Sequence, residues 1–174
     1  SLDDTAIYYQ WNYGNTSGKG IRRHDLRTGA DVDLGIYASD FDLAADGTIA
    51  FTSFSNAIPP NYGWALSWLA PGANPRDAHQ ILPYSDPGSA TVAWSPDGTR
   101  LAVQTGSGLQ LLDRNGTVIR TLAPRGGDAT WSPDGRAVAY ADAGYIWTVL
   151  ATGGAPHQLF PGYSPSWRPR VTSG

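Results

Sequence analysis

The chain has 174 residues, a formal net charge of −3, and no cysteine or methionine. That length is one ordinary domain, able to bury roughly two-thirds of its unfolded surface. Lys19 is the only lysine among 12 basic side chains, a balance that excludes a phosphate-neutralising face, and the lack of cysteine excludes disulfides and thiolate metal sites.

No apolar run approaches the ~18 residues of a membrane span, and no signal-peptide pattern is present. The chain opens on Ser1 rather than Met, and it is read as a segment excised from a larger protein. Missing Cys and Met remove the easily oxidised side chains, which suits an extracytoplasmic address. The 21 Gly and 13 Pro fall in short clusters, as an all-β chain with many tight turns requires.

Strands are expected first at Ala6–Gln10, Gly20–Asp25 and Asp31–Leu34, with a turn at Thr28-Gly29. Next come Asp40–Leu43, Thr48–Thr52, Trp64–Leu69 and His79–Leu82, interrupted by an inserted loop from Phe54 to Tyr62. The third group is Thr91–Trp94, Arg100–Gln104, Leu109–Asp113 and Thr117–Leu122; its Asn115-Gly116 pair is a strong hairpin signal, because both residues tolerate positive φ. The fourth is Ala129–Trp131, Ala137–Ala141, Tyr145–Leu150 and His157–Phe160, turning at Thr152-Gly153-Gly154. A lone strand, Ser164–Trp167, ends the series.

These groups are copies of one unit. Trp94-Ser95-Pro96-Asp97-Gly98 recurs as Trp131-Ser132-Pro133-Asp134-Gly135, more weakly as Leu43-Ala44-Ala45-Asp46-Gly47, and closes as Ser166-Trp167-Arg168-Pro169. The register tryptophans at 94, 131 and 167 stand 37 and 36 residues apart. Self-similarity at this period means stacked copies of one supersecondary element. The first copy lacks an opening strand, and the last is an opening strand alone.

The W-S-P-D-G turn and the closing S-W-R-P resemble TolB-like propeller repeats, distant relatives of WD repeats. The resemblance implies an all-β fold, a β-propeller with four blades of four antiparallel strands. It covers the whole chain as a single domain: blade 1 from 5–35 plus 163–170, blade 2 from 39–82, blade 3 from 90–122 and blade 4 from 127–160. Pairing of Ser164–Trp167 with Ala6–Gln10 inside blade 1 would close the ring and remove exposed sheet edges. Such propellers usually have about six or seven blades, so the alternative is a partial propeller completed by oligomerisation. Trp94, Trp131 and Trp167 are expected to wedge between blades, and Asp97 and Asp134 to accept backbone N–H groups in their turns.

Asp40, Asp42 and Asp46-Gly47 approach a calcium loop, but Ala44 stands where a ligand belongs. Gly14 to Lys19 approaches a phosphate loop but has one residue too few between its glycines, and Gly20 replaces the hydroxyl. His24, His79 and His157 fall in three different copies, and no hydrolase motif occurs. Three residues before the Trp register stand Asp40, Thr91, Asp128 and Ser164. Opening strands line a propeller channel, so Asp40 and Asp128 are the candidates for a hard cation such as calcium, against a plain hydrated plug; no other cofactor is expected.

The main candidate binding residues are aromatic. Loops on one face of the disc are expected to carry Trp11, Tyr13, Tyr62 and Tyr84, with Tyr37, Asn56 and Tyr163 nearby, and rings with polar tips dominate recognition surfaces. The resulting expectation is a non-enzymatic module of a larger bacterial protein, extracytoplasmic, binding a protein, peptide or glycan. It involves no nucleic acid, and nothing in this segment inserts in a membrane. The alternative is a polysaccharide-active enzyme or the substrate-gating propeller of a hydrolase.

Overall fold

The computed structural model describes residues 5–12, 19–56, 62–85 and 91–167, excepting the side chains of residues 62, 84 and 85. It divides into two compact units, Ser1–Asp86 and Pro87–Gly174. In the first unit β1 (Ala6–Asn12), β2 (Lys19–Asp25) and β3 (Asp31–Tyr37) form a three-stranded antiparallel sheet. Beside it β4 (Asp40–Leu43), β5 (Ile49–Asn56), β6 (Tyr62–Leu69) and β7 (His79–Ser85) pair in sequence order. The core between them is Ile21, Ile36, Ile49, Phe51 and Leu69.

The second unit repeats the plan. Its third sheet holds β8 (Val92–Trp94), β9 (Arg100–Thr105), β10 (Gly108–Asp113) and β11 (Val118–Ala123); its fourth holds β12 (Gly127–Trp131), β13 (Ala137–Asp142), β14 (Tyr145–Leu150) and β15 (His157–Pro161). Leu101, Ala102 and Val103 are consecutive and all fully buried, which means both faces of β9 are covered. The outer strands are open: Val118–Thr121 and the whole of β15 are exposed. Leu109, Leu111, Trp131, Val138 and Tyr140 make the core of this unit. The expected all-β, antiparallel, four-sheet architecture is what the chain adopts.

The register tryptophans do more than fill space. Trp131 is buried, and its indole Nε1 donates to the carbonyl of Ala93 at 3.1 Å. One repeat later Trp167 Nε1 donates to the carbonyl of Thr130 at 3.2 Å. Ala93 and Thr130 are the residues just before Trp94 and Trp131, so each indole grips the same point of the preceding copy. The guanidinium of Arg100 lies 5.1 Å from the Trp131 ring, and that of Arg114 lies 5.2 Å from the Trp94 ring.

The repeat turns are laced by their Ser and Asp. Ser95 Oγ donates to Asp97 Oδ1 at 2.5 Å, Thr99 N–H donates to the same oxygen, and Arg100 N–H donates to Ser95 Oγ. Ser132 and Asp134 repeat this pattern with Arg136 and Ala137. Donation from the Ser95 hydroxyl holds the Asp97 carboxyl below the usual carboxylate range. In the weak copy Ala44 replaces the serine and its hydroxyl bonds are lost, while Thr48 N–H still donates to Asp46 at 2.9 Å.

The hairpin expected at Asn115-Gly116 forms between β10 and β11, with positive φ at Gly116 alone, 85°. Asp113 accepts from the N–H groups of Asn115 and Thr117, making a three-residue turn in which glycine alone needs the left-handed region. The inserted loop is shorter than expected, since β5 runs to Asn56 and β6 begins at Tyr62. Extending the hairpin pairs backbone groups that a loop would leave to water. Lastly, residues 164–167 form no strand. Their pairing with Ala6–Gln10 stays an expectation, and residues 168–170 lie outside the described chain.

Candidate functional site

In the first unit two hairpin tips share one side. Ala38 N–H donates to the Lys19 carbonyl at 2.9 Å, and Ser39 N–H donates to the Thr52 carbonyl at 2.7 Å. The chain therefore steps from the Lys19 end of β2 to the middle of β5, so that β1 and the β5–β6 hairpin extend to the same side. Trp11 pairs with Gly20, which pairs with Tyr37. The three stand in a row on one sheet face, with a glycine between two rings. Trp11 is 49% and Tyr37 62% exposed, and the Arg22 guanidinium sits 5.9 Å from the Trp11 ring. On the neighbouring sheet Phe54, also exposed, packs its ring 5.1 Å from Trp64.

Of the predicted aromatic residues, Trp11 is exposed and belongs to β1 rather than to a loop. Tyr62 and Tyr84 also belong to strands, β6 and β7, rather than loops, because cross-strand pairing continues past the ends that residue types suggest. Their side chains, and Tyr13 altogether, lie outside the described residues. Asp40 is half-buried on β4, and its carbonyl accepts from Thr52 Oγ1 at 3.5 Å. Among the described residues no three His, Cys, Asp or Glu side chains gather to hold a metal. His24 bonds Asp31 at 3.1 Å, and His79 packs against Trp68.

The second unit contains a cleft of about 500 Å³. It opens where the β9–β10 and β13–β14 turns meet the β11–β12 connection, and Thr91, Gln104, Arg125, Asp128, Asp142 and Tyr163 line it. Part of the inner column does converge here. Thr91 and Asp128 share the lining, and Ser164 Oγ donates to Asp128 Oδ2 at 3.3 Å. Asp128 arrives by a bulge: Gly127 pairs with Ala141 and Thr130 with Ala139, so Asp128 and Ala129 together oppose Tyr140. Bulges of this kind re-aim side chains, and Asp128 takes φ 48° in doing so.

Gly126 makes the floor possible, since a Cβ there would strike the Tyr140 ring. Burial, aided by the charge of Asp142, pushes the Tyr140 hydroxyl up to about 12, so it stays neutral under the cleft. Arg125 Nε lies 3.8 Å from Asp142 Oδ2, with the arginine side chain exposed at the rim. Tyr163 is 78% exposed, with its hydroxyl beside the Gly144 turn. Gln104, Arg125 and Asp142 escaped the sequence reading because no motif joins them; only adjacency of the third and fourth sheets does.

No family model matches the chain, and no curated protein matches it. Solved structures do resemble it. TolB from Acinetobacter baumannii shares 19% identity at a TM-score of 0.69, covering 92% of this chain and 42% of that one. A putative TolB from Agrobacterium tumefaciens shares 18% at 0.68, covering 93% and 60%. An oligogalacturonate lyase in complex with manganese shares 17% at 0.65, covering 90% and 50%. The sheets are thus blades of a β-propeller. The fold is that of the TolB-like propellers, and the chain spans 42–60% of the solved chains it resembles.

Proposed function

We propose that the chain is a non-enzymatic recognition module, an extracytoplasmic part of a larger bacterial protein, that binds a protein, peptide or glycan on the aromatic side of its first unit. The supporting observation is the exposed row of Trp11 and Tyr37 across Gly20, on the side to which β1 and the β5–β6 hairpin extend. Contiguous exposed rings on a rigid sheet mark interaction surfaces. The site extends in this reading from Trp11 through Tyr13, Tyr62 and Tyr84. No helix among the described residues is long and apolar enough to cross a membrane.

Glycan and peptide arrays would supply a ligand, and the double change Trp11→Ala with Tyr62→Ala tests the site. Binding should be abolished while circular dichroism and the melting curve hold. Binding that survives this change but disappears with Asp40→Asn would move the site to the innermost strand and revive the alternative, a polysaccharide-active or substrate-gating propeller.

A further inference from the structure

We infer that the cleft in the second unit is a separate binding site for a neutral saccharide of mono- or disaccharide size. Its volume of about 500 Å³ lies in the range of small-molecule pockets. The lining mixes acceptors and donors at close quarters: the carboxylates of Asp128 and Asp142, the carboxamide of Gln104 and the guanidinium of Arg125. A cation would meet Arg125, and an anion would meet two carboxylates. Hydroxyl groups, which both give and accept hydrogen bonds, suit every member of the set. Tyr163 adds a largely exposed ring beside the side-chain-free Gly144, leaving room for the flat C–H face of a sugar ring to lie on it.

The cleft also concentrates costs that folding alone does not require. The described residues with positive φ other than glycine are Asp128, Ala143 and Ser164. Asp128 and Ala143 line the cleft, and Ser164 bonds Asp128. Within the lining, Thr91 Oγ1 is buried with no hydrogen-bond partner among the described residues. Backbone strain and an orphaned hydroxyl at one place are characteristic of binding sites held by a rigid surround. Here the surround is the packed core of Leu109, Trp131, Val138 and Tyr140.

Titration calorimetry of the whole chain with glucose, galactose, mannose, N-acetylglucosamine, maltose, cellobiose and chitobiose tests the assignment. At least one of these should bind, and Asp128→Asn and Tyr163→Ala should each weaken it by roughly tenfold or more. Asparagine tolerates the left-handed backbone at 128, so Asp128→Asn keeps the fold. Trp11→Ala should leave this affinity unchanged, which separates the cleft from the aromatic row. No heat from any of the sugars at about 10 mM ligand, or affinity indifferent to both changes, would overturn the proposal. So would an oligolysine peptide that binds in place of the sugars and is lost with Asp128→Asn.

Discussion

At the scale of single residues, tryptophan plays two unlike parts in this chain. Trp94 and Trp131 are buried at equivalent positions of successive repeats, and the Trp131 indole is hydrogen-bonded within the core. Truncating either to alanine should cost about 3–5 kcal/mol, the usual loss for emptying a packed aromatic site. Trp11, 49% exposed at the end of β1, should cost well under half as much. Urea melts of the three variants make the comparison, and equal losses would show that Trp11 is a core residue. The register tryptophans were legible in the sequence because the same packing problem recurs at 94, 131 and 167 and has the same answer there. Trp11 was legible only as an aromatic ring outside that register.

At the scale of elements, turns carry most of the specificity and some of the strain. The β13–β14 hairpin closes on Ala143-Gly144, with φ of 51° and 82°. This is a two-residue turn with both residues in the left-handed region, a geometry that favours Asn-Gly. Alanine there opposes its own preference. Ala143→Asn should therefore raise stability by about 0.5–1 kcal/mol, read as a shift in denaturation midpoint with unchanged slope. An unchanged or lower midpoint would mean that the turn has another shape in solution. The Pro-Asp-Gly turns could be read from sequence because their bonds are local, Ser95 to Asp97 and Ser132 to Asp134. Hairpin length could not, since β5 and β6 extend to Asn56 and Tyr62 through each other's backbone. Nor could the cleft be read: a bulge at Asp128 has no glycine or proline of its own to announce it.

At the scale of the whole molecule, the two ends are incomplete in different ways. The first sheet has three strands where the others have four. The terminal segment, though not a strand, holds a defined place, with Trp167 bonded to Thr130 and Ser164 to Asp128. Deleting residues 163–174 should lower the melting temperature and promote aggregation, because it uncovers β12 and removes a wall of the cleft; an unchanged melting curve would show that the segment is dispensable. The indole bonds have a direction as well as a strength. Trp131 reaches back to residue 93 and Trp167 back to residue 130, so the fourth copy and the terminal segment each lean on a copy made earlier. On the ribosome, where the N-terminal part emerges first, the fourth copy and the terminal segment each find an anchor point already waiting behind them. Toward the end of the chain, assembly can proceed like courses of brick, each laid on one already set.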